Sequence, residues 1–143
     1  MYSLVDQVFM LLPKERIPQV ALMEMNDIHF EEIDLLNELY DAIKNNEPIE
    51  RIEKLFEDFL ADVVYHFEFE NNAMKETGFF AYPMHRQEHE MRMSELNKLK
   101  EDFYATKNKE LIANYLEQKF VPWLIIHVPT MDTVTAQYLA DYL

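Results

Sequence analysis

The chain has 143 residues, of which 49% are hydrophobic and 28% charged, with a formal net charge of −14. That charge disfavours nucleic acid and anionic membrane surfaces as partners, and the absence of cysteine excludes disulfides, zinc–thiolate sites and iron–sulfur ligation. One glycine in the whole sequence argues against a turn-rich β protein, while the abundance of Leu, Glu, Lys, Met and Ala favours helices.

The length suits one domain around one core. The expectation is an all-α fold, an up-down-up-down antiparallel four-helix bundle over residues 17–143 preceded by an N-terminal arm over 1–16. In the arm, the apolar stretch Val8 to Leu12 lacks a basic flank and follows Asp6, unlike a secretory leader. A short helical piece is expected before Pro13. No run approaches the roughly 18 apolar residues that a membrane span requires, so the expected location is the cytoplasm.

The first long helix is predicted from about Pro18 to Lys44, with Val20, Ile28, Ile33, Leu36, Leu39 and Ile43 forming its apolar stripe. It stops at Asn45-Asn46, and Pro48 suits the first turn of the second helix. That helix runs to Thr77, with Ile49, Ile52, Leu55, Phe59, Val63, Phe67 and Met74 recurring inward and Gly78 as its terminating residue. The third opens at Pro83 and extends to about Thr106, carrying Met91, Leu96 and Phe103 on its apolar side. The fourth begins near Asn108 with Leu111, Ile112, Tyr115 and Leu116. It is interrupted at Pro122 and Pro129, each of which lacks a backbone donor and distorts or ends a helix.

All five histidines fall inside these helices: His29, His66, His85, His89 and His127. Residues four apart on an α-helix are separated by about 40° around the axis, so His66/Glu70 and His85/His89 each present two donors on one face. His127 and Asp132 are five apart, about 140° on a regular helix, and a distorted turn at Pro129 is what would bring them together.

Short connections make successive helices antiparallel, so depths can be compared by counting from the turns. His29 lies 17 residues before Asn46 and His66 lies 20 after it. Glu70 is 8 before Gly78, with His85 and His89 7 and 11 after it, and His89 and His127 flank Lys107 by 18 and 20. At about 1.5 Å per residue the mismatches amount to roughly one turn. Four helices therefore bring seven donors to one depth.

Such nitrogen-rich ligation without thiolate suits iron, copper or zinc better than magnesium or calcium. Seven ligands exceed the capacity of one ion, which points to two metals bridged by Glu70 and Asp132. The run His85-Arg86-Gln87-Glu88-His89 is not the zinc-protease motif, which has glutamate directly after the first histidine. Nor is there a Glu-x-x-His pair of the ferritin-like type, since Asn26, Val63, Tyr82, Arg86 and Leu124 stand three before the five histidines.

The combined spacing resembles that of the haemerythrins, specifically the single-domain bacterial ones. The resemblance covers about Pro18 to Tyr138 and rests on His29, on His66-Phe67-x-x-Glu70 with Met74, on His85-x3-His89, and on Trp123-Leu124-x-x-His127-Val128-x3-Asp132. It implies a non-haem, oxo- or hydroxo-bridged di-iron centre. His85, His89 and His127 would hold one iron and His29 and His66 the other, with Glu70 and Asp132 bridging and a position for O2 on the second iron. Phe67, Trp123, Leu124 and Val128 match apolar pocket positions.

Three departures fall on the first helix. Asn26 and Ile28 stand where the family often has an acid and a glutamine, which bears on the support of His29. Glu32 replaces a pocket leucine or similar residue and is expected either to turn to solvent or to enter the pocket as a proton relay or extra ligand. The turn also has Phe79-Phe80 in place of a common Tyr-Pro.

The resemblance implies a protein that reversibly binds O2 or another small diatomic molecule for storage, delivery or buffering, with no catalytic residues. A monomer or weak homo-oligomer is expected. The alternatives are a di-iron redox enzyme (an oxidase, a peroxidase, or a protein handling nitric oxide or protecting iron centres) and an O2 sensor acting through a separate partner.

Overall fold

The structure is a computed structural model and describes residues 8–142. Four helices run antiparallel in sequence order: α1 (Met23–Lys44), α2 (Ile49–Thr77), α3 (Tyr82–Thr106) and a composite α4 over 110–139. Each packs on its neighbour in sequence, and contact between α1 and α4 closes the bundle. No strand occurs among the described residues, and no helix is long and apolar enough to cross a membrane.

The connections are short because each has its own stop signal. Asn46 takes a left-handed conformation, φ 53°, and the Glu47 N–H bonds the Ala42 carbonyl at 3.0 Å. At the end of α2, Gly78 has φ 70°, and the Phe79 N–H reaches the Met74 carbonyl at 3.0 Å, the wrap that lets a glycine satisfy the last carbonyls of a helix.

Helix α1 starts at Met23, five residues later than the sequence suggests. The Asn26 side chain explains the delay: its Oδ1 accepts from the Val20 N–H at 2.7 Å and its Nδ2 donates to the Val20 carbonyl at 3.0 Å. Those bonds hold the preceding segment outside the helix. The arm also departs from expectation. Residues 8–12 contain no helix, and a single 3-10 turn, Lys14–Arg16, follows Pro13, whose fixed φ initiates it; the remainder of the expected arm helix lies outside the described residues. Asn37 anchors the arm to α1, accepting from the Leu11 and Leu12 N–H groups and donating to the Leu12 carbonyl.

The main core lies toward the α1–α2 and α3–α4 turns. Phe56 meets Phe103 edge-on at 5.6 Å, and Phe59 meets Phe120 at 5.2 Å, among Ile33, Leu36, Leu39, Ile52 and Leu96. A smaller apolar group, Leu22, Met25, Ala73, Ala136 and Leu139, lies toward the other end. On α3, Met91 is 48% exposed rather than in the stripe. It follows the buried His89 by two residues, about 200° around the helix, and Leu99 joins Leu96 and Phe103 inside instead.

Candidate metal centre

Helix α4 is regular over Glu110–Tyr115, Val121–His127 and Thr133–Leu139, and widens into π turns over Leu116–Phe120 and Val128–Asp132. The first lies just before Pro122, and the second contains Pro129. Both accommodate a ring that lacks the N–H of the ordinary ladder. Threonine hydroxyls add bonds there, Thr130 to the Ile126 carbonyl at 2.6 Å and Thr133 to the Val128 carbonyl at 2.9 Å. Because a π turn closes over five residues rather than four, His127 and Asp132 come round to the same side. His127 Nε2 lies 3.0 Å from Asp132 Oδ1.

His29 on α1, His66 and Glu70 on α2, His85 and His89 on α3, and His127 and Asp132 on α4 converge between the two apolar groups. None is more than 2% exposed. Their donor atoms form two sets, each within 4.8 Å: Glu70, His85, His89, His127 and Asp132 in one, and His29, His66, Glu70 and Asp132 in the other.

The two carboxylates belong to both sets through different oxygens. Glu70 Oε1 lies 3.3 Å from His85 Nε2 and 3.2 Å from His89 Nε2, whereas its Oε2 lies 2.7 Å from His66 Nε2 and 3.7 Å from His29 Nε2. Asp132 divides likewise, Oδ1 standing 3.0 Å from both His85 and His127 Nε2 and Oδ2 standing 3.0 Å from His29 Nε2.

Many of these close approaches are not hydrogen bonds. His29 Nε2, His89 Nε2, Glu70 Oε1 and both Asp132 oxygens are buried without a hydrogen-bond partner among the described residues. Close spacing without mutual alignment is expected where lone pairs aim at a common point. Ligand atoms about 2.1 Å from a shared metal and at right angles lie about 3 Å apart. His85 and His127 Nε2, 3.1 Å from each other and each 3.0 Å from Asp132 Oδ1, have that spacing. The donor set fits two first-row metal ions.

The buried imidazoles and carboxylates shift one another's protonation. Burial opposes charge on His29 and His85, but the Asp132 and Glu70 carboxylates outweigh it and raise each to about 9. His66 is also raised, burial being overcome by Glu32 and Glu70. Burial lowers His89. Burial acts to raise Glu70 and Asp132, yet the facing imidazoles hold both carboxyls below their ordinary range.

The outward ring nitrogens have unequal support. His85 Nδ1 pairs with Thr135 Oγ1 at 2.8 Å, His89 Nδ1 with Asn71 Oδ1 at 2.9 Å, and His66 Nδ1 with Glu32 Oε2 at 2.6 Å. His29 Nδ1 has no hydrogen-bond partner among the described residues; Asn26, three residues earlier, is committed to Val20. Glu32 is fully buried, neither in solvent nor in either donor set. The sequence ties it to His29, three residues away, but its carboxylate crosses to α2 and sits behind His66.

Thr135 and Asn71 escaped the sequence reading. The available signal was chemical: a ligating histidine needs a partner for its other nitrogen, and both residues lie within a turn of a donor. Of the apolar positions, Phe67 stacks on His89 with ring centroids 4.1 Å apart and 7° between planes, and Trp123 stacks on His127 at 4.3 Å and 25°. Leu124 and Val128 are buried in the main core. Trp123 is fixed by its Nε1–H bond to Glu88 at 3.0 Å.

The chain is 37% identical to the bacteriohaemerythrin of Aquifex aeolicus (strain VF5) over 132 residues, 92% of this chain and 100% of that protein. A crystal structure of a haemerythrin point mutant superposes with a TM-score of 0.77 at 22% identity, covering 94% of this chain and 99% of the other. A further mutant structure aligns with the same score and coverage. No family model matches the sequence.

Proposed function

The chain belongs to the haemerythrin family, and from that premise we propose that its buried cluster holds two iron ions and binds O2 reversibly. In this reading His85, His89 and His127 hold one iron, His29 and His66 hold the other, and Glu70 and Asp132 link them. The observation that carries it is the division of each carboxylate, one oxygen toward the three-histidine set and the other toward the two-histidine set. Five donors stand on one side and four on the other, so two ions bound there would be offered unequal donor sets. The four-donor side has the greater capacity for a small diatomic ligand.

Iron, when bound, supplies the electrons that allow O2 to be held. The protein supplies position and dryness. Phe67 and Trp123 lie flat against His89 and His127 and fix the planes of two imidazoles. Leu124 and Val128, 1% and 0% exposed, help to exclude water on the α4 side. Asn71 and Thr135 hold the Nδ1 atoms of His89 and His85, leaving each Nε2 directed inward.

The test is anaerobic loading with ferrous iron, followed by addition and removal of O2 with metal analysis and optical spectra. Two irons per chain and a charge-transfer band that disappears when O2 is removed are expected. Two irons that oxidise once and do not return would instead favour a di-iron redox enzyme. One observation motivates that second reading: a buried carboxylate, Glu32, stands directly behind a histidine of the four-donor set. Failure to load two irons would overturn both readings.

A further inference from the structure

We infer that Glu32 is a positioning residue for the two-histidine half of the centre, fixing the His66 imidazole and setting behind it, at hydrogen-bond distance, a buried carboxylate of a kind that the other half lacks. This rests on the two-iron reading above.

The contrast is between ring nitrogens. His85 and His89 are backed by a neutral hydroxyl and a neutral amide, Thr135 and Asn71. His127 Nδ1 comes within only 3.8 Å of Glu88, a partly exposed carboxylate that accepts the Trp123 indole N–H. At the outward nitrogen, Nδ1, His66 alone among the five has a fully buried carboxylate at hydrogen-bond distance, 2.6 Å, among the described residues.

The position makes this contact unexpected on packing grounds. Glu32 is followed by the fully buried Ile33 and Leu36 on a core-facing side of α1, where an apolar side chain would be buried without a desolvation penalty. A buried carboxylate is costly unless paired, and the other oxygen, Oε1, has no hydrogen-bond partner among the described residues. Among the described residues, the one hydrogen-bonding contact that compensates Glu32 is His66. With Nε2 directed to the cluster, the Nδ1–H donates to Glu32, which fixes the tautomer and the ring plane and makes the ligating nitrogen more basic. A more basic, negatively backed imidazole favours the higher oxidation state of the ion it holds. Glu32 therefore acts on metal retention and on redox balance at one half of the site.

The test compares the unmodified chain with Glu32→Leu and Glu32→Gln, titrated anaerobically with cobalt(II) as a spectroscopic stand-in, and then loaded with iron for spectroelectrochemistry. The unmodified chain should bind two equivalents. Glu32→Leu should keep one at unchanged affinity and bind the second about 10–100-fold more weakly, the range for losing a partner behind a ligating histidine. Glu32→Gln keeps the shape and an acceptor oxygen but removes the charge, so it should retain both ions while the midpoint potential of the iron-loaded protein becomes more positive. A purely structural role would not shift the potential of that folded, fully loaded variant. Two unchanged affinities in Glu32→Leu, or an unchanged potential in Glu32→Gln, would overturn the inference. Fewer than two equivalents in the unmodified chain would overturn the two-iron reading, and this inference with it.

Discussion

The same four helices enclose two different interiors. Toward the α1–α2 and α3–α4 turns, Phe56, Phe59, Phe103 and Phe120 interlock edge-on among aliphatic side chains. Farther along the bundle the interior holds five imidazoles and three carboxylates, Glu70, Asp132 and, behind His66, Glu32, capped by the small apolar group around Met25 and Leu139. The first interior gains stability from removing apolar surface from water. The second concentrates buried ionisable groups, which a fold tolerates only when they are paired or bind metal. One end maintains the bundle, and the other depends on what it holds.

The most severe way to break that contrast is Glu70→Ala. Because Glu70 reaches both donor sets, this substitution should abolish two-metal loading, whereas His89→Ala should weaken the three-histidine set alone. Metal stoichiometry by elemental analysis checks both, and two tightly held ions in Glu70→Ala would refute the shared role. At the other end, Phe59→Ala should destabilise the fold by about 3–5 kcal/mol, the range for truncating a buried aromatic, measured by denaturant unfolding. Its metal stoichiometry should stay at two. A fall to one would mean that the two interiors are not separable.

The next effect concerns pH. His29 and His85 stand at about 9 in the folded metal-free chain, against about 6.5 unfolded. Folding therefore favours their protonated forms. Their contribution to stability is complete below about pH 6.5 and is lost as pH rises through about 9, with a change on the order of a few kcal/mol. Metal must displace those protons, so loading should tighten with pH over the same window. Melting curves of both forms between pH 6 and 9.5 should diverge, the loaded protein gaining relative to the metal-free one. Parallel curves would contradict the assignment.

The smallest effect lies at the margin of the site. Asp62, one turn before His66 and half-buried, is raised to about 7, first by burial and then by Glu32. Its charged form is disfavoured by folding, so that stability falls as pH rises from about 4 through about 7. Asp62→Asn should stabilise the fold at pH 8 by on the order of 1 kcal/mol, after allowance for its partial exposure, and give no gain near pH 4.

What was legible in the sequence follows the same division. The helices and their stops were readable because the period of Leu36, Leu39 and Ile43, Gly78 and the paired prolines are local signals. Donor depth was readable because antiparallel helices make it a matter of counting. Helix α1 began late because Asn26 bonds back to Val20, a specific side-chain geometry that residue spacing does not encode. The π turn at Pro129 was expected only as a distortion, although its width is what aligns His127 with Asp132. Glu32 was legible only in part: entry into the interior was one of its two expected outcomes, but helical spacing relates it to its own helix, while its partner is on α2.

The central proposal is that two ions share Glu70 and Asp132, and it is tested most directly by diffraction from crystals of the iron-loaded protein with anomalous data at the iron edge. Two peaks are predicted, one contacted by His85, His89 and His127, the other by His29 and His66, with one oxygen of each carboxylate on each ion. A single peak, or two peaks that share neither carboxylate, would contradict it.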